Sequence, residues 1–104
     1  LQAESALLER ARELLETAPR RALQHTELHR AQFRHPMLGL ERDLLEMDAL
    51  CRLGDIARAT RLGNLLVANQ PQGMYAARAH AILNRARAKE AKTAEKDPSD
   101  PSNH

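Results

Sequence analysis

The 104-residue chain holds 18 Ala and 17 Leu but one Val, two Ile, one Tyr, one Phe and no Trp. That composition excludes a sheet of β-branched and aromatic residues and leaves an all-α chain. Sixteen basic against 14 acidic residues give a formal charge of +2, with the signs interleaved as in Glu9-Arg10, Arg12-Glu13 and Glu41-Arg42-Asp43. Nucleic acid is therefore not an expected partner, because a phosphate footprint gathers positive charge on one face. In chain order, Leu7, Leu8, Ala11, Leu14 and Leu15 recur at helical spacing and predict a first helix over residues 2–16. Thr17 is placed to cap a second helix over 20–33, with Pro19 in its first turn and Ala22, Leu23, Thr26, Ala31 and Phe33 facing inward. Pro36 and Gly39 break the chain, and Leu40, Leu44, Leu45, Met47, Leu50, Cys51 and Leu53 predict a third helix over 40–53.

Gly54 suits the left-handed residue that ends the third helix, and Asp55 caps a fourth over 55–69 through Ile56, Ala59, Gly63, Leu66 and Val67. Pro71-Gln72-Gly73 closes it. A fifth helix over 75–88 carries Tyr75, Ala79, Ile82, Leu83 and Ala86. Residues 1–91 thus read as one helical domain, and 92–104 as a disordered polar tail. No apolar run exceeds four residues, as in Leu65-Leu66-Val67-Ala68, so this segment inserts in no membrane. The chain opens on Leu1 without a signal-peptide pattern, as expected of a piece of a longer protein.

Sliding the chain on itself by 37 positions gives ten identities, among them Glu4 with Glu41, Leu7-Leu8-Glu9 with Leu44-Leu45-Glu46, Arg21-Ala22 with Arg58-Ala59, Leu28 with Leu65, Ala31 with Ala68 and Met37 with Met74. They fall at equivalent points of a helix pair, which is the signature of a repeat. Gly54-Asp55, Ile56, Ala59 and Pro71 resemble the tetratricopeptide (TPR) pattern, in which Gly-Asp turns the chain, a small Ala lets the helices close and Pro ends the unit. The resemblance covers residues 1–88 as two helix pairs plus a third A-type helix. It departs where Leu50 and Gly63 stand in place of aromatics, where the first unit lacks Gly-Asp, and in a period of 37 rather than 34. More narrowly, Glu41-Arg42-Asp43-Leu44-Leu45-Glu46, Ala49-Leu50-Cys51-Arg52-Leu53-Gly54 and Tyr75-Ala76-Ala77-Arg78 are similar to divergent TPR-like C-terminal domains of bacterial membrane-anchored envelope and regulatory proteins.

The resemblance implies a groove that binds a protein or peptide partner, with Glu41, Leu44, Asp48, Cys51 and Arg52 near its lining. Arg78, Arg85 and Arg87, with Lys89 and Lys92, give the fifth helix a basic end, read either as an answer to the helix dipole or as a contact to an acidic peptide or nucleic acid. No enzyme is expected: there is no phosphate loop, no Ser-His-Asp set and no paired catalytic carboxylates. No cofactor or metal is expected either. His25 and His29 have metal spacing, but the one candidate third ligand is His35, in a connector. Cys51, on an apolar stripe, reads as a small hydrophobe and not as a nucleophile. The alternative function is structural: a weak homodimer through Tyr75, Ile82 and Leu83 of the fifth helix, whose far side no further helix covers.

Overall fold

The computed structural model describes residues 2–70 and 72–95. Five helices follow one another: α1 (Gln2–Leu14), α2 (Pro19–Gln32), α3 (Gly39–Arg52), α4 (Ile56–Asn69) and α5 (Met74–Glu95), with no strand among the described residues. Neighbours in sequence pack antiparallel, as two helix pairs plus a C-terminal helix. The repeat spacing reappears in the elements, since α3 begins 37 residues after α1 and α4 begins 37 residues after α2.

Local chemistry accounts for most boundaries. Gly54 has φ 85°, the left-handed conformation that turns the chain so that the Asp55 N–H reaches back to the Leu50 carbonyl at 2.9 Å and α3 ends. Asp55 caps α4, its carboxylate accepting from the Arg58 N–H at 3.2 Å. Thr17 does not cap α2. Ala18 stands at that position without a side-chain bond, and Pro19, which has no N–H to satisfy, begins the helix. α5 continues through Glu95, so residues 92–95 belong to the helix and not to the tail. Between Ala86 and Glu95 the chain is nearly all Ala, Arg, Lys and Glu, strong helix formers with no Gly or Pro among them. Residues 96–104 of the expected tail, and Pro71, lie outside the described residues.

α3 is the axis of the molecule: it touches all four other helices, whereas α2 and α4 do not touch each other. Its buried residues Leu44, Leu45, Met47, Ala49 and Leu50 meet Leu8, Ala11 and Leu14 of α1, Ala22 and Leu23 of α2, Ala59 and Leu66 of α4, and Ala79 and Leu83 of α5 in one core. Ala59 has no exposed surface, as the close approach of α3 and α4 requires. At Gly63 a side chain has no room: a Cβ would stand 2.9 Å from Met47 Cε and 3.0 Å from Leu83 Cδ1.

α2 buries Ala22, Leu23 and Thr26 as expected and departs from expectation after them. Ala31 is exposed and Phe33 half-buried; the inward positions are Ala22, Leu23, Thr26 and His29, which follow one another by one, three and three residues on a single helix face. His29 is fully buried, its ring 5.1 Å from that of Phe33, and its Nε2–H donates to Glu4 Oε1 at 3.0 Å. The same carboxylate accepts from the Leu38 N–H at 2.7 Å and the Met37 N–H at 3.3 Å. Burial raises the Glu4 carboxyl, but the Leu38 and Met37 amides and His29 together hold it below its ordinary value. A second buried carboxylate, Glu46, takes both terminal nitrogens of Arg30 at 3.0 and 2.6 Å. That hydrogen bond, opposed by desolvation, raises the Arg30 guanidinium.

Candidate protein-interaction surface

Because neighbours alternate in direction, α1, α3 and α5 run the same way, with α3 in contact with both of the others. The residues that the sequence marks for a partner, Glu41 to Arg52, Arg78 and Arg85, belong to α3 and α5 of this set. Glu41, in the first turn of α3, accepts from the Tyr75 hydroxyl of α5 at 2.8 Å. Arg78 of α5 stands 3.7 Å and Arg12 of α1 3.8 Å from the same carboxylate. The hydrogen bond to Glu41 pushes the Tyr75 phenol up, since a phenolate there would face a carboxylate. One glutamate thus draws together side chains from three helices.

Two turns further along α3, Asp48 accepts from Arg52 Nε at 2.9 Å, and both side chains are partly open to solvent. Cys51 beside them is half-buried. Burial raises its thiol and so does Asp48, while Arg85 and Arg87 of α5 pull it back. The structure therefore joins Glu41 with Arg78, joins Asp48 with Arg52, and sets Cys51 in the field of Arg85. Leu44 does not belong with them: at 2 % exposure it is part of the core and offers no surface. Between Leu44 and Leu53 the core takes Leu44, Leu45, Met47, Ala49 and Leu50, Asp48 and Arg52 keep contact with solvent, and Glu46 is buried with Arg30 as its partner.

Two participants escape a reading of the sequence. Arg12 looks like any charged residue on the polar side of α1, and Tyr75 looks like a member of an apolar stripe. Only the stacking of α1, α3 and α5 shows that both converge on Glu41. The fifth helix also has less open apolar surface than expected, because Leu83 is 5 % exposed and Tyr75 and Ile82 are half-buried against the core.

No group of three or more His, Cys, Asp or Glu among the described residues is placed to hold a metal ion. His25 and His29 point to separate partners, His25 Nδ1 to the Arg21 carbonyl at 2.8 Å and His29 to Glu4. Among the described residues no helix is long and apolar enough to cross a membrane. Comparison with protein-family models, curated proteins and solved structures returns no match.

Proposed function

We propose that the chain is a TPR-like helical-repeat module that binds a partner polypeptide on the side formed by α1, α3 and α5, without chemistry of its own. The observation that carries this is the pattern of helix contacts. α1 touches α3 and α3 touches α5, while the even helices α2 and α4 stay apart, so the odd helices form one continuous layer. Stacked helix pairs with a shared core and one extended face are the way repeat proteins build binding surfaces. The 37-residue spacing of helix starts, the Gly54-Asp55 turn and the buried Ala59 support the same reading.

The layer offers half-exposed polar groups already held in place by their own ion pairs: Arg12, Glu41 and Arg78 at one end, Asp48 and Arg52 toward the other, with Arg85 nearby. Side chains held before binding lose little further freedom on contact. A displayed random-peptide library tests the reading. Selected peptides should shield Cys51 from alkylation and lose affinity with Arg52→Glu or Arg78→Glu. Failure to select any peptide, or selection of peptides indifferent to both substitutions, would remove this side as the binding surface.

A further inference from the structure

On the even helices the 37-residue alignment keeps four identities, and the core explains only one. Ala22 and Ala59 have no exposed surface, and packing accounts for them. Arg21 with Arg58, Leu28 with Leu65 and Ala31 with Ala68 are exposed in both units; Leu28 is 44 % and Leu65 64 % exposed. Spacings of seven and three residues put the Arg, Leu and Ala of each trio on one face of its helix. The same outward stripe is thus presented twice, once by α2 and once by α4. Both helices seat on α3 without touching each other, so the stripes run along two separate ridges.

We infer that the two stripes form one docking surface for an acidic amphipathic helix of a partner protein, gripped by the same Leu-Ala contact in each unit. Charge selects this occupant. Arg21, Arg34 and Arg61 have no ion pair among the described residues, and Arg58 stands 3.8 Å from Asp55. Glu27, the one exposed acid of α2, already acts on Arg30. A second copy of the chain would bring arginines against arginines. Two discrete Leu-Ala contacts, one on each helix, match the fixed side-chain spacing of a helical rod better than a fluid anionic bilayer. Acidic residues on the flanks of the rod then meet the arginines, and its apolar side meets Leu28 and Leu65. This surface lies on the even helices and stands apart from the one on α1, α3 and α5.

The test titrates the full chain, by fluorescence anisotropy, into a labelled helical peptide with leucines along one face and glutamates on both flanks. A lysine-flanked peptide of the same leucine pattern, phosphatidylglycerol vesicles and sedimentation of the chain alone run beside it. The glutamate peptide should bind and the lysine peptide should not. Leu28→Ser and Leu65→Ser should each weaken binding about tenfold, as loss of one leucine contact implies, and the double variant should multiply the two effects. Both positions are exposed, so the variants should melt like the parent, and Arg61→Glu should weaken binding with no change in melting. Failure of the glutamate peptide to bind overturns the inference, as does tighter binding to vesicles or self-association abolished by Leu65→Ser. Sensitivity to only one of the two leucines would also overturn it, and sensitivity to Arg78→Glu alone would return the site to the odd helices.

Discussion

Gly63 sits where α3, α4 and α5 meet, and its substitution tests the packing directly. A Cβ there would sit 2.9 Å from Met47 Cε, 3.0 Å from Leu83 Cδ1 and 3.6 Å from Met47 Sδ. All three atoms are far ends of flexible side chains, but Met47 is fully buried and has little space into which to swing. For Gly63→Ala the gain in helix propensity, about 1 kcal/mol, offsets a displaced Met47 rotamer costing about 1 kcal/mol. The variant should therefore fall within about 1 kcal/mol of the parent. Gly63→Val adds two more carbons to a filled space and should destabilise by about 2 kcal/mol. For a domain of this size that lowers the melting temperature by roughly 8–16 °C.

Urea melts followed by helical circular dichroism measure both variants, and an unchanged slope confirms that only stability has moved. Met47→Ala, destabilising by about 2–5 kcal/mol alone, vacates the volume that the introduced valine side chain needs. The double variant should therefore be more stable than the sum of the two losses by about 1 kcal/mol or more. A Gly63→Val protein that melts like the parent would refute the description of the α3–α4–α5 junction. Strict additivity with Met47→Ala would do the same.

Ala59→Leu forces a larger side chain between α3 and α4 at a position with no exposed surface, and should destabilise by about 1–3 kcal/mol in the same urea assay; an unshifted midpoint would mean the two helices do not close there. The Glu4 carboxyl, held below its ordinary value, contributes stability that is fully present above about pH 4.5 and is lost as pH falls through its lower folded value. Urea midpoints of the parent and Glu4→Gln should accordingly converge on acidification, and a gap indifferent to acid would show that the Leu38, Met37 and His29 bonds contribute nothing.

Periodicity and breakers carry most of the architecture. Leu8, Leu45, Leu66 and Leu83 lie where their spacing puts them, and Gly54 and Asp55 act as their residue types demand. α2 resists this reading at His29, which is buried through a bond to Glu4, 25 residues earlier, whereas Thr26 faces inward as expected with its hydroxyl turned back on the Leu23 carbonyl at 2.8 Å. A hydrophobic pattern has no way to register a polar group whose burial depends on a partner in another helix. Gly63 is opaque for a related reason. The TPR pattern expects an aromatic there, and the space is filled instead by Met47 and Leu83 from the neighbouring helices. On the interaction surface the residue types are legible, but the division between Leu44, which is buried, and Asp48, which is not, depends on where α1 and α5 lie.

The two glutamates that the 37-residue alignment pairs play parallel parts outside the hydrophobic core. Glu4 and Glu41 each stand in the first turn of an odd helix, and each reaches forward to the next odd helix. Glu4 accepts from the backbone of Met37 and Leu38 just before α3, and Glu41 accepts from Tyr75 at the start of α5. The bonds of Glu4 to Leu38 and of Glu41 to Tyr75 each cross from one helix pair to the next, so both exist only through stacking. The two links differ in setting. Glu4 is 3 % exposed and closed in with His29, whereas Glu41 is open enough to share its charge with Arg12 and Arg78. The same residue at the same repeat position therefore locks the first junction from inside and, at the second, sits on the surface where a partner is proposed to bind. A ligand that competes for Arg78 would act directly on the link between α3 and α5, and one that competes for Arg12 on the link between α1 and α3, which ties occupancy of that surface to the stacking of the odd helices.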